Sequence, residues 1–223
     1  MRLAIMQPYL FPYIGYFQLM SSVDTFIIYD SVQYIQRGWM NRNRIDNNVF
    51  ITIPVAKHSS RKLIKDVQLG ENYLAQRQKI MNKIYAIYKK APYFTEAYYR
   101  INNALPRYQT SLIHALQQTL TMVIKYTDIQ TNIVYSSQCP IDHKLTGQEK
   151  ILALCKYFKA TEYINAPGGK ALYKQEDFGD IRLKFLQPTL EFYEREKEFF
   201  LGLSIIDLMM YIDKDKLKQM IRR

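Results

Sequence analysis

The apolar positions follow two different periods along the chain. Leu3 to Met6 is a short apolar run that stops at Gln7-Pro8, and after Pro12 the residues from Tyr13 to Met20 space their apolar side chains as a helix does. Thr25 to Tyr29 is continuously apolar, β-branched or aromatic, which predicts a strand covered on both faces. Strand, loop, helix and strand within about 30 residues is the length of a parallel crossover unit. Val32 to Ile35 and Val49 to Val55 are further strand candidates, the second alternating well, and a polar, basic loop lies between them.

From Asn72 to Thr127 the period lengthens. Helices are expected over Ala75 to Lys90, Thr95 to Leu105 and Ser111 to Tyr126, broken at Pro92 and Pro106. Strand character returns at Ile133 to Tyr135. Gln148 to Phe158 reads as a helix, Tyr163-Ile164 as a short strand entering Asn165-Ala166-Pro167-Gly168-Gly169, Arg182 to Leu186 as a strand, and a helix starts near Ser204. This alternation predicts an α/β fold with a mostly parallel sheet, formed by residues 1–71 and 128–223, with residues 72–127 as a helical insert.

Composition narrows the function classes. No run approaches the roughly 20 apolar residues of a membrane span, and the start lacks the small-residue cleavage site of a signal peptide, so a cytoplasmic protein is expected. Cys139 and Cys155 lie outside any Cys-x-x-Cys pair and read as buried thiols. His58, His114 and His143 sit in unrelated contexts, so no metal site is expected. A Walker loop, a complete Gly-x-Gly-x-x-Gly and a Ser/His/Asp order are all missing.

The net charge of +11 is concentrated: residues 37–107 hold 14 basic and 4 acidic groups. That suits an anionic partner such as a nucleotide, a phosphorylated sugar or nucleic acid; a solvated basic helix gives the same count. In parallel α/β sheets ligands bind beyond the carboxyl ends of the strands, where the chain order reverses, and three unusual segments fall at such ends. The first, from Gln7 to Tyr16, feeds a helix start that suits an anion. It carries Tyr9, Phe11, Tyr13, Tyr16 and Phe17, which fit either stacking on a base or sugar face or a core. The second runs from Asp30 to Arg44. Asp30 ends a buried strand where a general base or hydroxyl ligand would stand, with a turn or cap as the competing role. Arg37, Arg42 and Arg44 suit phosphate, Asn41 and Asn43 suit hydroxyls or a base edge, and Trp39 suits a sugar face; an exposed polar loop is the other reading. In the third, Asn165, Gly168 and Gly169 form either a backbone cradle for an anion or an ordinary turn. Asp207, charged within an apolar helix, fits a helix start together with Ser204.

Met6 to Leu19, Tyr29-Asp30, Gly38 to Ile45, Lys90 to Phe94, Tyr163 to Gly169 with Leu172-Tyr173, and Leu203 to Asp207 together resemble the WbqC-like family, over about residues 3 to 212. The resemblance implies a place in bacterial O-antigen (lipopolysaccharide) and related surface-polysaccharide biosynthesis and, on one proposal for the family, transfer of glycine to an amino sugar. It assigns no catalytic residue. The expectation is a transferase that adds an aminoacyl group, glycyl, to a nucleotide-activated amino sugar. In that scheme Arg37, Arg42 and Arg44 hold the phosphates, Asn41 and Asn43 orient the sugar, Asp30 deprotonates the ammonium and Tyr13 or Tyr16 stabilises the oxyanion. Its partners are a sugar nucleotide and an aminoacyl-tRNA, not DNA, and the sequence requires no cofactor. The turn Pro12-Tyr13-Ile14-Gly15-Tyr16 is also similar to the His-x-Gly-His turn of nucleotidylyltransferases and class I synthetases, with tyrosines in place of the histidines. It implies a Rossmann-like sheet of that order and an alternative, a nucleotidylyl or adenylate-forming enzyme using ATP and magnesium. A non-catalytic module that binds RNA or an anionic glycan through residues 37–107 is a third reading.

Overall fold

Leu3, Ala4 and Ile5 are buried in succession, which requires cover on both faces of the first strand. The computed structural model describes residues 1–195 and 200–222. Strands β1 (Arg2–Met6) and β2 (Thr25–Ile28) flank helix α1 (Ile14–Ser21). A hairpin of β3 (Arg42–Asp46) and β4 (Val49–Thr52) leads into α2 (Tyr73–Tyr88), α3 (Phe94–Ala104) and α4 (Leu112–Thr127). Then come β5 (Asn132–Tyr135), α5 (Gly147–Tyr157), β6 (Glu162–Asn165), β7 (Arg182–Phe185), α6 (Ile205–Tyr211) and α7 (Lys214–Arg222).

The fold is α/β. Five strands form one parallel sheet in the order β5-β2-β1-β6-β7, a Rossmann-like arrangement whose chain order reverses between β1 and β6. β1 pairs with β2 from Leu3 to Met6 but with β6 only at Arg2 and Leu3. The carboxyl ends at the switch point therefore lie beyond the ladder. Alternate residues of β1 serve two cores: Ala4 joins the large cluster that also takes α1, α2, α3, α4, α6 and α7, while Leu3 and Ile5 join a smaller one with Ile151, Leu154 and Phe178. Ile80, Ile84, Ile101, Leu116 and Val123, from the three helices between β4 and β5, pack in the same core as α1. Among the described residues no helix is long and apolar enough to cross a membrane.

Two expected features differ. Val32 to Ile35 forms no strand; only Gln33 makes an isolated bridge, to Leu63. Conversely, the basic stretch expected as a loop contains β3, whose Asn43 and Asp46 are buried by specific polar partners rather than by apolar packing. Helix α7 lies beyond the last element expected and packs on α1 and α4 through Leu217, Met220 and Ile221.

A buried polar network joins these parts. Asp207 on α6 is fully buried and accepts hydrogen bonds from Tyr88 Oη (2.9 Å) at the end of α2 and from Tyr193 Oη. Arg195 lies 3.3 Å from Asp207 and 3.0 Å from Asp46. Burial pushes the Asp207 carboxyl above the usual carboxylate range, against the pull of Tyr193, Arg195 and Tyr88. Removing one partner of a buried ion pair leaves the other charge uncompensated. Asp207→Ala is expected to lower the unfolding free energy by about 3–5 kcal/mol in a urea titration followed by circular dichroism, and a loss below about 1 kcal/mol would deny the network this role.

Candidate functional site

The loop after β1 turns sharply because Phe11 adopts φ 42°, the left-handed region that L side chains avoid at a cost of about 1–2 kcal/mol. Two distant segments, residues 40–44 and residues 204–205, hold it there. The Phe11 carbonyl accepts from Asn43 Nδ2 (2.7 Å) on β3 and Ser204 Oγ (2.8 Å) before α6. The Leu10 carbonyl accepts a second bond from Asn43 Nδ2 (3.0 Å), and the Leu10 amide donates to Met40 O (2.9 Å). The Ile205 amide donates to Pro12 O and the Ser204 amide to Arg44 O, both at 2.9 Å.

So held, the loop walls a cleft of about 560 Å³ beside the end of β1, lined by Gln7, Tyr9, Tyr13, Trp39, Asn43 and Gly202 among others. Its volume falls within the roughly 300–1,000 Å³ of small-molecule sites. Gly15 shapes it: a Cβ there would stand 2.6 Å from the Tyr13 ring, so the missing side chain lets that ring fold over the first turn of α1. Burial raises the Tyr13 phenol above its ordinary value. It raises Tyr9 too, with Tyr13 adding to the effect. Both stay protonated at neutral pH, available as hydrogen-bond donors and not as bases. Trp39 is 52% exposed, and the Arg42 guanidinium lies 5.7 Å from its ring centroid.

Other expected residues fall elsewhere. Arg37, Asn41 and Arg42 line a second cleft of about 600 Å³, between the segment before β3 and the residues after β4. Arg44 Nη2 donates to Leu201 O (3.0 Å) and braces the segment before α6. Tyr16 is 2% exposed, packed edge-on against Tyr9, Phe17 and Phe26, so it belongs to the core rather than to the cleft wall. Asp30 is buried: its Oδ1 accepts from Ser136 Oγ (2.9 Å) and the Ser137 amide (2.8 Å), and its Oδ2 from Ser137 Oγ (2.6 Å). These bonds lock the segments after β2 and β5 together, the turn-holding role. Asn165 Oδ1 accepts from the Ala166 amide (2.8 Å), and the Gly169 amide closes onto Ala166 O (2.9 Å), so this segment is a turn whose second glycine leaves room for the Asn165 side chain. Gly168 faces open space.

The sequence pattern marks Ser204 only as a helix cap, raises His58 only as a metal ligand, and does not single out Gly202 or Lys57. Ser204 does accept from the Ile206 amide (3.3 Å), but no local pattern signals its contact with Phe11, 193 positions away. Lys57 counted only toward the basic excess of residues 37–107.

The model of the WbqC-like protein family matches residues 7–219, and the chain belongs to that family. It is 28% identical over 220 residues to the uncharacterized protein Rv1507c of Mycobacterium tuberculosis, covering 95% of this chain and 94% of that one. No solved structure matches it significantly.

Asn43→Ala removes both bonds to the strained loop. It should cost about 1–3 kcal/mol of stability in urea denaturation. Because Asn43 and Ser204 hold one carbonyl, the loss in the double variant with Ser204→Ala should differ from the sum of the single losses; strict additivity would mean that the two side chains act independently.

Proposed function

We propose that this member of the WbqC-like family is a transferase of bacterial surface-polysaccharide (O-antigen) biosynthesis, adding an aminoacyl group to a nucleotide-activated amino sugar. The pathway and the glycyl identity of that group follow the family resemblance. The observation that supports a small-molecule reaction is the cleft of about 560 Å³, which opens beside Gln7 near the sheet's switch point with Tyr9, Tyr13 and Trp39 in its wall. Aromatic faces suit the apolar face of a sugar ring or a nucleobase, and the Gln7 amide suits its hydroxyls.

In the proposed reaction the sugar amine, once unprotonated, attacks the carbonyl carbon of an activated aminoacyl ester, as in an aminoacyl-tRNA. The new C–N bond forms as the ester C–O bond breaks, and the leaving hydroxyl takes up the proton released by the nitrogen. The Tyr13 phenol, protonated at neutral pH as an ordinary tyrosine is, donates to the oxyanion of the tetrahedral intermediate. Asp30 and Tyr16 take no part, since the first is bonded to Ser136 and Ser137 and the second lies in the core.

The Rossmann-like strand order favours one other reading, an enzyme that activates its substrate with ATP and magnesium and releases pyrophosphate. The test incubates the protein with nucleotide-linked amino sugars, labelled glycine and either glycyl-tRNA or ATP with magnesium, and detects products by mass spectrometry. A glycyl amide formed from glycyl-tRNA is the expected result, with kcat reduced about a hundredfold in Tyr13→Phe. An adduct only with ATP, accompanied by pyrophosphate, supports the second reading. No adduct under either condition overturns both.

A further inference from the structure

We propose that the second cleft, built by Arg37, Arg42, Lys57 and His58, is a diphosphate-binding pocket that takes the pyrophosphate linkage of a small nucleotide ligand. Calling that ligand the sugar nucleotide rests on the proposed function; the anion site itself does not.

The pocket measures about 600 Å³, and none of the residues lining it is acidic. Among the described residues no ion pair engages Arg37, Arg42 or Lys57. The nearby acid of the hairpin, Asp46, is buried and pairs with Arg195 instead. The cations therefore face a concave space without a counter-charge among the described residues.

Their placement is prearranged. The Arg42 guanidinium lies 5.7 Å from the Trp39 ring centroid and 5.5 Å from that of Phe50, and these two contacts fix the orientation of its fork. Its Nε is buried and has no hydrogen-bond partner among the described residues. Arg37 holds φ 60° in a turn that the Gly38 amide closes onto Ile35 O at 3.3 Å. Glycine would occupy that conformation without strain, so the arginine side chain is kept at a conformational cost. The His58 ring packs edge-on to Tyr34 with centroids 5.0 Å apart, and its Nδ1 lies 2.8 Å from Ser59 O. A carbonyl only accepts, so Nδ1 is the donor in that contact, and Nε2 donates to a phosphate when the ring carries both protons. Asn41 is already satisfied, accepting from Tyr34 Oη (2.9 Å) and donating to Ile53 O (2.7 Å). It therefore does not compete with the anion.

A compact diphosphate is favoured over an RNA backbone because these cations converge on one cavity, whereas a strand needs a groove that tracks successive phosphates. The location fits as well. Ile35, Gly38, Trp39 and Met40 line the first cleft while Gln36, Arg37, Asn41 and Arg42 line the second, so one loop places an aromatic cleft beside a basic one.

The test titrates the full chain with UDP and with inorganic pyrophosphate, read by calorimetry and by the emission of Trp39, the chain's one tryptophan. Both probes should bind saturably. Lys57→Ala and Arg37→Gly should each weaken binding about tenfold, and Arg37→Gly also relieves the strained turn, so misfolding would not explain its loss. Lys125→Ala, on α4 and outside the pocket, should change nothing. Absence of saturable binding, equal weakening by Lys125→Ala, or tight binding of a single-stranded RNA while pyrophosphate is ignored would each overturn the pocket. A protein that binds UDP here yet transfers no glycyl group leaves the pocket standing and defeats only the proposed reaction.

Discussion

Phe11 takes a backbone conformation that costs an aromatic residue about 1–2 kcal/mol, and two side chains from distant parts of the chain meet at its carbonyl. Asn43 reaches it from the hairpin and Ser204 from the start of α6. The sheet, the hairpin and helix α6 are thereby referred to one point. Without that joint the loop after β1 could relax to an ordinary turn, and the relative placement of Tyr9, Tyr13 and Trp39 would be lost. A strained residue held from several sides is how a fold keeps a loop rigid that must carry chemistry.

The charges divide into two kinds. Several basic residues of the helical segment are bonded locally: Arg77 donates to Asn102, Arg100 pairs with Glu96, and Arg107 donates to Asn103. Arg195 is enclosed between two carboxylates. Arg37, Arg42 and Lys57 have no such partners among the described residues and surround a cavity. Removing a member of the buried network disturbs folding, whereas removing an open cation disturbs whatever the cavity holds. The local excess of positive charge is thus partly ordinary helix surface and partly a focused field.

The central strands were legible because burial on both faces leaves continuous apolar runs, as in Leu3 to Met6 and Thr25 to Tyr29. The long helices were legible from their period, to within two residues at each end. Strand β3 was hidden because its inward residues include Asn43 and Asp46, whose burial depends on partners elsewhere in the chain that no local pattern shows. The same limit applied to the site. Tyr13 and Tyr16 are three residues apart with similar neighbours, yet one lines the cleft and the other fills the core. Gly15 between them was the available clue, since a glycine in a helical turn marks close approach by something, here the Tyr13 ring. Asp30 was placed correctly at a strand end, but its role was set by Ser136 and Ser137, more than a hundred residues further on.

The loop that separates the two clefts is a wall with two faces. Trp39 lines one cleft and Arg42 the other, with the guanidinium 5.7 Å from the ring centroid, so a shift of the ring that breaks this contact is felt in both clefts. Occupants of the two clefts that act on it are thermodynamically linked: the factor by which the first changes the affinity of the second equals the factor by which the second changes that of the first. The contact between Trp39 and Arg42 is accordingly the place where cooperativity or antagonism between two ligands would be decided.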